Sequence, residues 1–256
     1  MNLSFDMSVA ESYKSGAQIA RVLTENWVDT NMYCPRCGNQ HIKHLKNNLP
    51  VADFICPSCN NVYELKSKNG NLGHKITDGA YNTMIRRITS NDNPDFLFMS
   101  YSKRELKLID LILVPKHFFI PDIIEKRNPL PQTAQRAGWI GCNILIDKIP
   151  KQGRIVIISN GEIESKNIVI NNLENSNSLY KKDLNSRGWL MDVLNCVNKT
   201  PSKIFTLEEI YRHVDELSIK HPQNHNIEAK IRQQLQLLRD KGFIEFLGNG
   251  NYRKID

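Results

Sequence analysis

Four cysteines carry the most specific chemical signal in this 256-residue sequence. Cys34-Pro-Arg-Cys37 and Cys56-Pro-Ser-Cys59 form two C-x2-C pairs with 18 residues between them. Each pair bends the backbone so that two thiolates face one point, and two such turns complete a tetrahedral sulfur shell suited to Zn²⁺. A closed shell leaves no position for water, so the expected role is structural. Disulfides or an iron-sulfur centre are the competing chemistries for the same residues. His41 and His44 lie between the pairs, but four sulfurs suffice and both histidines are expected in loops. Cys142 and Cys196 stand alone and read as small buried apolar residues.

The second pair also positions a different set of groups. Residues 51–55 and 62–66 read as two strands closed by Cys56–Cys59, which brings Asp53 across from Glu64. Glu64 and Lys66, two apart on one strand, project to the same face. Two carboxylates can hold Mg²⁺, the ion can polarise a phosphate and acidify a water, and the lysine can orient or deprotonate that water. Those are the parts of a phosphodiester hydrolase.

Glu-x-Lys also occurs at Glu105, Glu164 and Glu228, the first of them downstream of a literal Pro94-Asp95. In a hairpin over 96–114, about eight residues at ~3.3 Å each hold Asp95 and Glu105 roughly 26 Å apart. Glu164 has no aspartate at hairpin distance, and Glu228 and Lys230 fall on a helix, where i and i+2 diverge. Only Asp53, Glu64 and Lys66 converge. A solvated hairpin with incidental charges is the plainer alternative.

The elements that must hold these groups follow from periodicity. Helical spacing is read over 17–28 and 76–88, a hairpin over 96–114 and a strand over 154–159, which together predict a mixed sheet with helices on its faces. Residues 115–143 contain four prolines and read as a long surface excursion. The Asn-rich 171–178 reads as the approach to a boundary, giving domains 1–182 and 183–256. The second has helical runs at 188–197, 207–217 and 227–241, then a hairpin turning on Gly-Asn-Gly-Asn, the outline of a winged helix. A small α+β interaction domain is the alternative.

Composition bounds the partners. With 34 Lys+Arg against 27 Asp+Glu the net charge is +7, which permits a polyanionic partner without requiring one. The longest apolar runs, 111–114 and 155–158, are strand-sized, so no bilayer span is expected. The opening MNLSFDMSVAES lacks a basic region followed by an apolar one, and a reducing, cytoplasmic setting is expected.

Several segments carry a likeness that extends over the whole chain: RVLTENWV (21–28), both C-x2-C pairs, PVADF (50–54), ELKSK (64–68), DGAYNTM (78–84), RAGWIGCNI (136–144), SRGW (186–189), LNC (194–196) and KIRQQLQLLRDK (230–241). The sequence resembles the DpnI-like family of methyl-directed restriction endonucleases. The resemblance implies an α/β fold, a PD-(D/E)xK nuclease core with a mixed sheet and an embedded four-cysteine zinc site, plus a small winged-helix domain. It implies Mg²⁺-dependent double-strand cleavage of GATC sites bearing N6-methyladenine. Its catalytic positions fall on Asp53, Glu64 and Lys66, with Asp53 and Glu64 as magnesium ligands, and its structural zinc on Cys34, Cys37, Cys56 and Cys59. Ala52 stands where the general pattern has proline, a residue that ligates nothing.

N6-methyladenine presents an apolar methyl in the major groove. Trp139, in a glycine-flanked loop, is the candidate to meet it, with Arg136 bonding guanine or a phosphate; the alternative for Trp139 is a buried loop anchor. In the last helix Ile231, Leu235 and Leu238 are expected inside, with Lys230, Gln233 and Gln234 outward and Asn226 as N-cap. Glutamine can bond adenine, while Lys230, Arg232, Arg253 and Lys254 would meet phosphates. Arg86 and Arg87 are expected along DNA or on a solvated face. A non-catalytic regulator of methylated DNA and a nuclease for branched or damaged DNA are the competing functions. Cutting two strands takes two visits by a monomer or two copies, and both stay open.

Overall fold

A computed structural model describes residues 1–45, 52–90 and 92–255. The chain divides into two compact units, Met1–Asp147 with Gln152–Asn177, and Lys148–Lys151 with Ser178–Asp256. The first contains, in order, α1 (Gly16–Asn31), β1 (Lys43–His44), β2 (Phe54–Ile55), β3 (Val62–Asn69), β4 (Lys75–Ala80), α2 (Tyr81–Thr89), β5 (Asp95–Ser102), β6 (Lys107–Val114), β7 (Ile124–Lys126), β8 (Gly141–Leu145), β9 (Ile155–Ser159), β10 (Glu162–Ile163) and α3 (Lys166–Asn177). Among the described residues one sheet runs β1-β2-β3-β5-β6-β9-β10, with β3 and β5 parallel and its other neighbours antiparallel. A second sheet runs β4-β8-β7. The fold is mixed α/β.

Strand β5, DFLFMSYS, is buried at every position but the last, which is why it reads as an unbroken apolar run. Helix α1 turns Leu23, Trp27 and Val28 into the same core, and the Trp27 indole donates to the Asn2 carbonyl at 2.6 Å. The hairpin of β2 and β3 pairs Phe54 with Tyr63 and Ile55 with Val62 and carries Cys56–Cys59 at its tip. Position 51 of the expected first strand lies outside the described residues.

Residues 76–88 are not one helix. Ile76, Asp78 and Ala80 are less exposed than Lys75, Thr77 and Gly79, the two-residue alternation of a strand, and α2 starts only at Tyr81. Residues 171–177, expected to approach a boundary, are the end of α3, whose Val169 and Leu173 are buried, and the first unit ends with them at Asn177. The excursion 115–143 contains β7 and ends in β8, so the second sheet is largely built from it.

The second unit comprises α4 (Leu184–Lys199), β11 (Ile204–Thr206), α5 (Leu207–Tyr211), α6 (Val214–Lys220), α7 (Ile227–Asp240), β12 (Ile244–Gly248) and β13 (Asn251–Lys254), with strand order β11-β13-β12. Asp183 caps α4 through the Ser186 amide (2.7 Å), and Thr206 and Glu209 form a reciprocal capping box at α5. The expected helix over 207–217 is interrupted at Arg212 and His213. Asn249 and Gly250 take φ of 48° and 73°, two left-handed residues in succession, as a tight hairpin turn requires. Ile231, Leu235 and Leu238 are fully buried. Helices followed by this hairpin make a winged helix. Among the described residues no helix is long and apolar enough to cross a membrane.

Candidate active site

The sulfur cluster is built from two copies of one turn. Cys34 N bonds Asn39 O and Gly38 N bonds Cys34 O; Cys56 N bonds Asn61 O and Asn60 N bonds Cys56 O, all at 2.8–2.9 Å. Gly38 and Asn60 occupy equivalent positions with φ of 74° and 57°. The four Sγ atoms lie within 4.8 Å of one another, Cys34 to Cys59 at 3.7 Å and Cys37 to Cys56 at 3.6 Å. Those separations are too long for a disulfide at ~2.05 Å. A tetrahedron of sulfurs about 2.3 Å from zinc has edges of about 3.8 Å, so the cluster fits a structural zinc site. Against the push of burial, the Asn39 amide and neighbouring sulfurs draw the Cys37 thiol down to about 7. His44 is not part of the cluster: its Nε2 faces Glu25 Oε2 at 3.3 Å.

Tyr63 links this cluster to the acidic groups. Its hydroxyl lies 3.1 Å from Cys34 Sγ, its side chain is fully buried, and the next residue on β3 is Glu64. Asp53 N donates to Tyr63 O at 2.9 Å, one residue out of the Phe54–Tyr63 register, which holds Asp53 against β3 close to the Glu64 charge. Asp53 Oδ2 accepts from Leu65 N at 2.7 Å. Burial pushes the Asp53 carboxyl above the usual range against the Leu65 amide, and the Glu64 charge adds to the rise.

On the same strand Glu64 Oε1 lies 2.5 Å from Lys66 Nζ, while Glu64 Oε2 accepts from Arg87 of α2 at 2.9 Å. Lys66 Nζ also pairs with Asp78 Oδ1 of β4. Burial works against the Lys66 ammonium, but the Glu64 and Asp78 carboxylates outweigh it and hold its pKa above the ordinary lysine value. Among the described residues the Asp53, Glu64 and Asp78 carboxylates gather around Lys66 and Arg87. The donors are hard oxygens, the class that suits Mg²⁺. Asp53 and Glu64 are the residues that would hold it, with Lys66 and Arg87 now balancing Glu64.

Two family models match this chain, one described as the DpnI, Dam-replacing family over residues 1–182 and one as the Dam-replacing HTH domain over residues 185–254. The chain belongs to the Dam-replacing family. Membership implies a methylation-dependent restriction endonuclease whose C-terminal HTH domain binds DNA.

Within this Dam-replacing protein the expected DNA-contact residues have varied surroundings. Arg136 is exposed, its guanidinium 5.4 Å from the centre of the half-buried Trp139 ring. That ring packs on Gly141, where a Cβ would meet it at 2.8 Å, so only glycine fits beneath it. On α7, Gln233 and Arg232 are exposed and Lys230 is half-buried. Arg232 bonds the Tyr211 hydroxyl and lies 3.8 Å from Glu228. Gln234 does not point outward: it is 6% exposed, because three residues after Ile231 and four before Leu238 it falls within the buried stripe. Asn226 precedes α7 without a side-chain capping bond. Arg253 pairs with Glu245 at 3.1 Å, and Lys254 Nζ donates to Thr200 O at 2.6 Å.

Two residues of the acidic centre escaped the sequence reading. Asp78 was hidden in a stretch taken for helix, although the alternation of Ile76, Asp78 and Ala80 around Gly79 was a strand signal. Arg87, assigned to DNA or solvent, keeps only 17% of its side chain exposed and turns inward to Glu64.

Proposed function

We propose that this protein is a Mg²⁺-dependent restriction endonuclease that cuts both strands of DNA at GATC sites whose adenine is N6-methylated. Asp53, Glu64 and Lys66 are its hydrolytic residues, in a PD-(D/E)xK domain over 1–182, and the winged helix over 183–256 is a second reader of DNA. The reading is supported above all by one observation: a Glu64–Lys66 pair on one strand lies beside a half-buried Asp53 just before the partner strand of the hairpin. Mg²⁺ bound by Asp53 and Glu64 would supply polarisation of a phosphate oxygen and acidification of a water. Lys66, kept as an ammonium by its carboxylate neighbours, orients that water and steadies charge growing on the phosphate rather than taking the proton.

Methyl recognition falls to Trp139, whose ring is partly exposed and backed by Gly141, with Arg136 beside it for guanine or a phosphate. In the second unit Gln233 is the candidate for adenine, and Lys230, Arg232, Arg253 and Lys254 for phosphates. Arg253 and Lys254 must first exchange their internal partners. Burial of Gln234 weighs against a base contact there. The enzyme acts as a cytoplasmic protein on DNA.

Digestion of matched methylated and unmethylated plasmids tests the proposal. Discrete fragments ending at GATC are expected only with methylated DNA and Mg²⁺, and none in EDTA or with Lys66→Ala. Retarded but uncut DNA would indicate a regulator, and cutting regardless of methylation a nuclease for other DNA damage or branches. A host genome in which GATC adenines are methylated while the enzyme is active would contradict the proposed specificity.

A further inference from the structure

Lys66 and Glu64 share a strand, so the ion pair between them moves as one piece and cannot fix the ammonium against the rest of the site. Asp78 belongs to a different sheet, where β4 is held to β8 with Asp78 opposite Cys142. Its side chain is 6% exposed and meets Lys66 Nζ from across the centre. Glu64 has both oxygens occupied, one by Lys66 and one by Arg87. When Glu64 gives an oxygen to a cation, its hold on Lys66 weakens, while the Asp78 contact does not depend on that oxygen.

We infer that Asp78 is the positioning residue of the hydrolytic centre: its carboxylate, anchored in the second sheet, holds the Lys66 ammonium in place while Glu64 turns to bind metal. This rests on the hydrolytic reading above. Asp78 touches no substrate; it acts through Lys66, and displacement of a reacting group by about 1 Å can cost about a hundredfold in rate.

The test uses the full chain and a methylated GATC duplex. In Asp78→Asn, kcat falls tenfold to a hundredfold with KM and melting temperature nearly unchanged, and Asp78→Glu recovers part of the loss because it restores the carboxylate. In ¹H–¹⁵N spectra of the metal-free protein, the Lys66 ammonium signal, protected from exchange by its two partners, is lost in Asp78→Asn and returns in Asp78→Glu. Wild-type kcat and an unchanged Lys66 signal in Asp78→Asn would overturn the inference. So would equal impairment of both variants with a lower melting temperature, the mark of a merely structural aspartate. If the wild type leaves the duplex intact, the hydrolytic reading fails, and the NMR comparison still decides whether Asp78 holds Lys66.

Discussion

The sulfur cluster and the acidic centre share the β2–β3 hairpin, yet they are assembled in opposite ways. All four sulfurs come from residues 34–59, in two turns with the same hydrogen bonds and the same left-handed residue after the second cysteine. The acidic centre takes Asp53, Glu64 and Lys66 from the hairpin but Asp78 from the second sheet and Arg87 from α2. One is specified by local spacing and the other by topology. A local cluster can stiffen a strand before the rest of the sheet forms, whereas a dispersed one exists only once the fold is complete.

If that division is right, metal removal should damage the two regions unequally. A structural zinc site contributes on the order of 10 kcal/mol to folding. Stripping zinc, or Cys56→Ser, is therefore expected to unfold the hairpin and abolish cleavage with it, visible as a large fall in melting temperature that tracks metal content. A zinc-free protein that melts like the loaded one would remove the cluster's structural role.

Changes in the acidic centre should spare the fold. Lys66→Ala and Asp53→Asn are expected to cut at least about a thousandfold more slowly, about 4 kcal/mol in the barrier, with zinc retained. Asp53→Asn should also raise the melting temperature of the Mg²⁺-free protein. Burial lifts the folded pKa of Asp53 above its unfolded value, so its contribution to stability is present below the unfolded pKa and lost as pH rises through the folded one. The amide cannot ionise, so the gain should grow from acid toward neutral pH, as melting curves across that range would reveal.

The same division explains what could be read in advance. Two C-x2-C pairs announce their geometry because a knuckle is a property of five consecutive residues, and the hairpin register followed from the knuckle at its tip. The alternation that marks β4 spans six residues and contains a threonine, a glycine and an aspartate, so its few apolar positions also satisfied a helical pattern joined to α2. Arg87 looks like surface charge until α2 is laid beside β3. Gln234 shows the converse limit: its polar side chain was expected outward, but its helical spacing from Ile231 and Leu238 puts it in the buried stripe of α7.

Asp95 provides a finer contrast, because it imitates a catalytic aspartate and belongs to the structural side. It is 1% exposed and accepts from Arg36 of the first knuckle (3.2 Å), Asn61 just after the second (2.8 Å) and the Lys116 amide (2.8 Å). Asp95→Ala leaves the half-buried Arg36, Asn61 and the Lys116 amide without their acceptor and is expected to cost about 2 kcal/mol of stability. Below the melting transition cleavage per folded molecule should stay within a few fold of wild type. A loss like that of Lys66→Ala, with stability intact, would move Asp95 into the chemistry.

The smallest expected effect lies where the two regions touch. Tyr63→Phe removes the hydroxyl 3.1 Å from Cys34 Sγ and leaves the ring in its fully buried place, one residue before Glu64. A net hydrogen bond of this kind contributes about 1 kcal/mol. Because a thiolate that loses a donor is a more exposed ligand to competing chelators, zinc should leave faster, as a chromogenic chelator would record, while kcat stays within about twofold. A drop in kcat beyond tenfold with zinc fully bound would mean that the sulfur cluster tunes the acidic centre through Tyr63. The hairpin would then be one electrostatic unit and not two neighbours on a common strand.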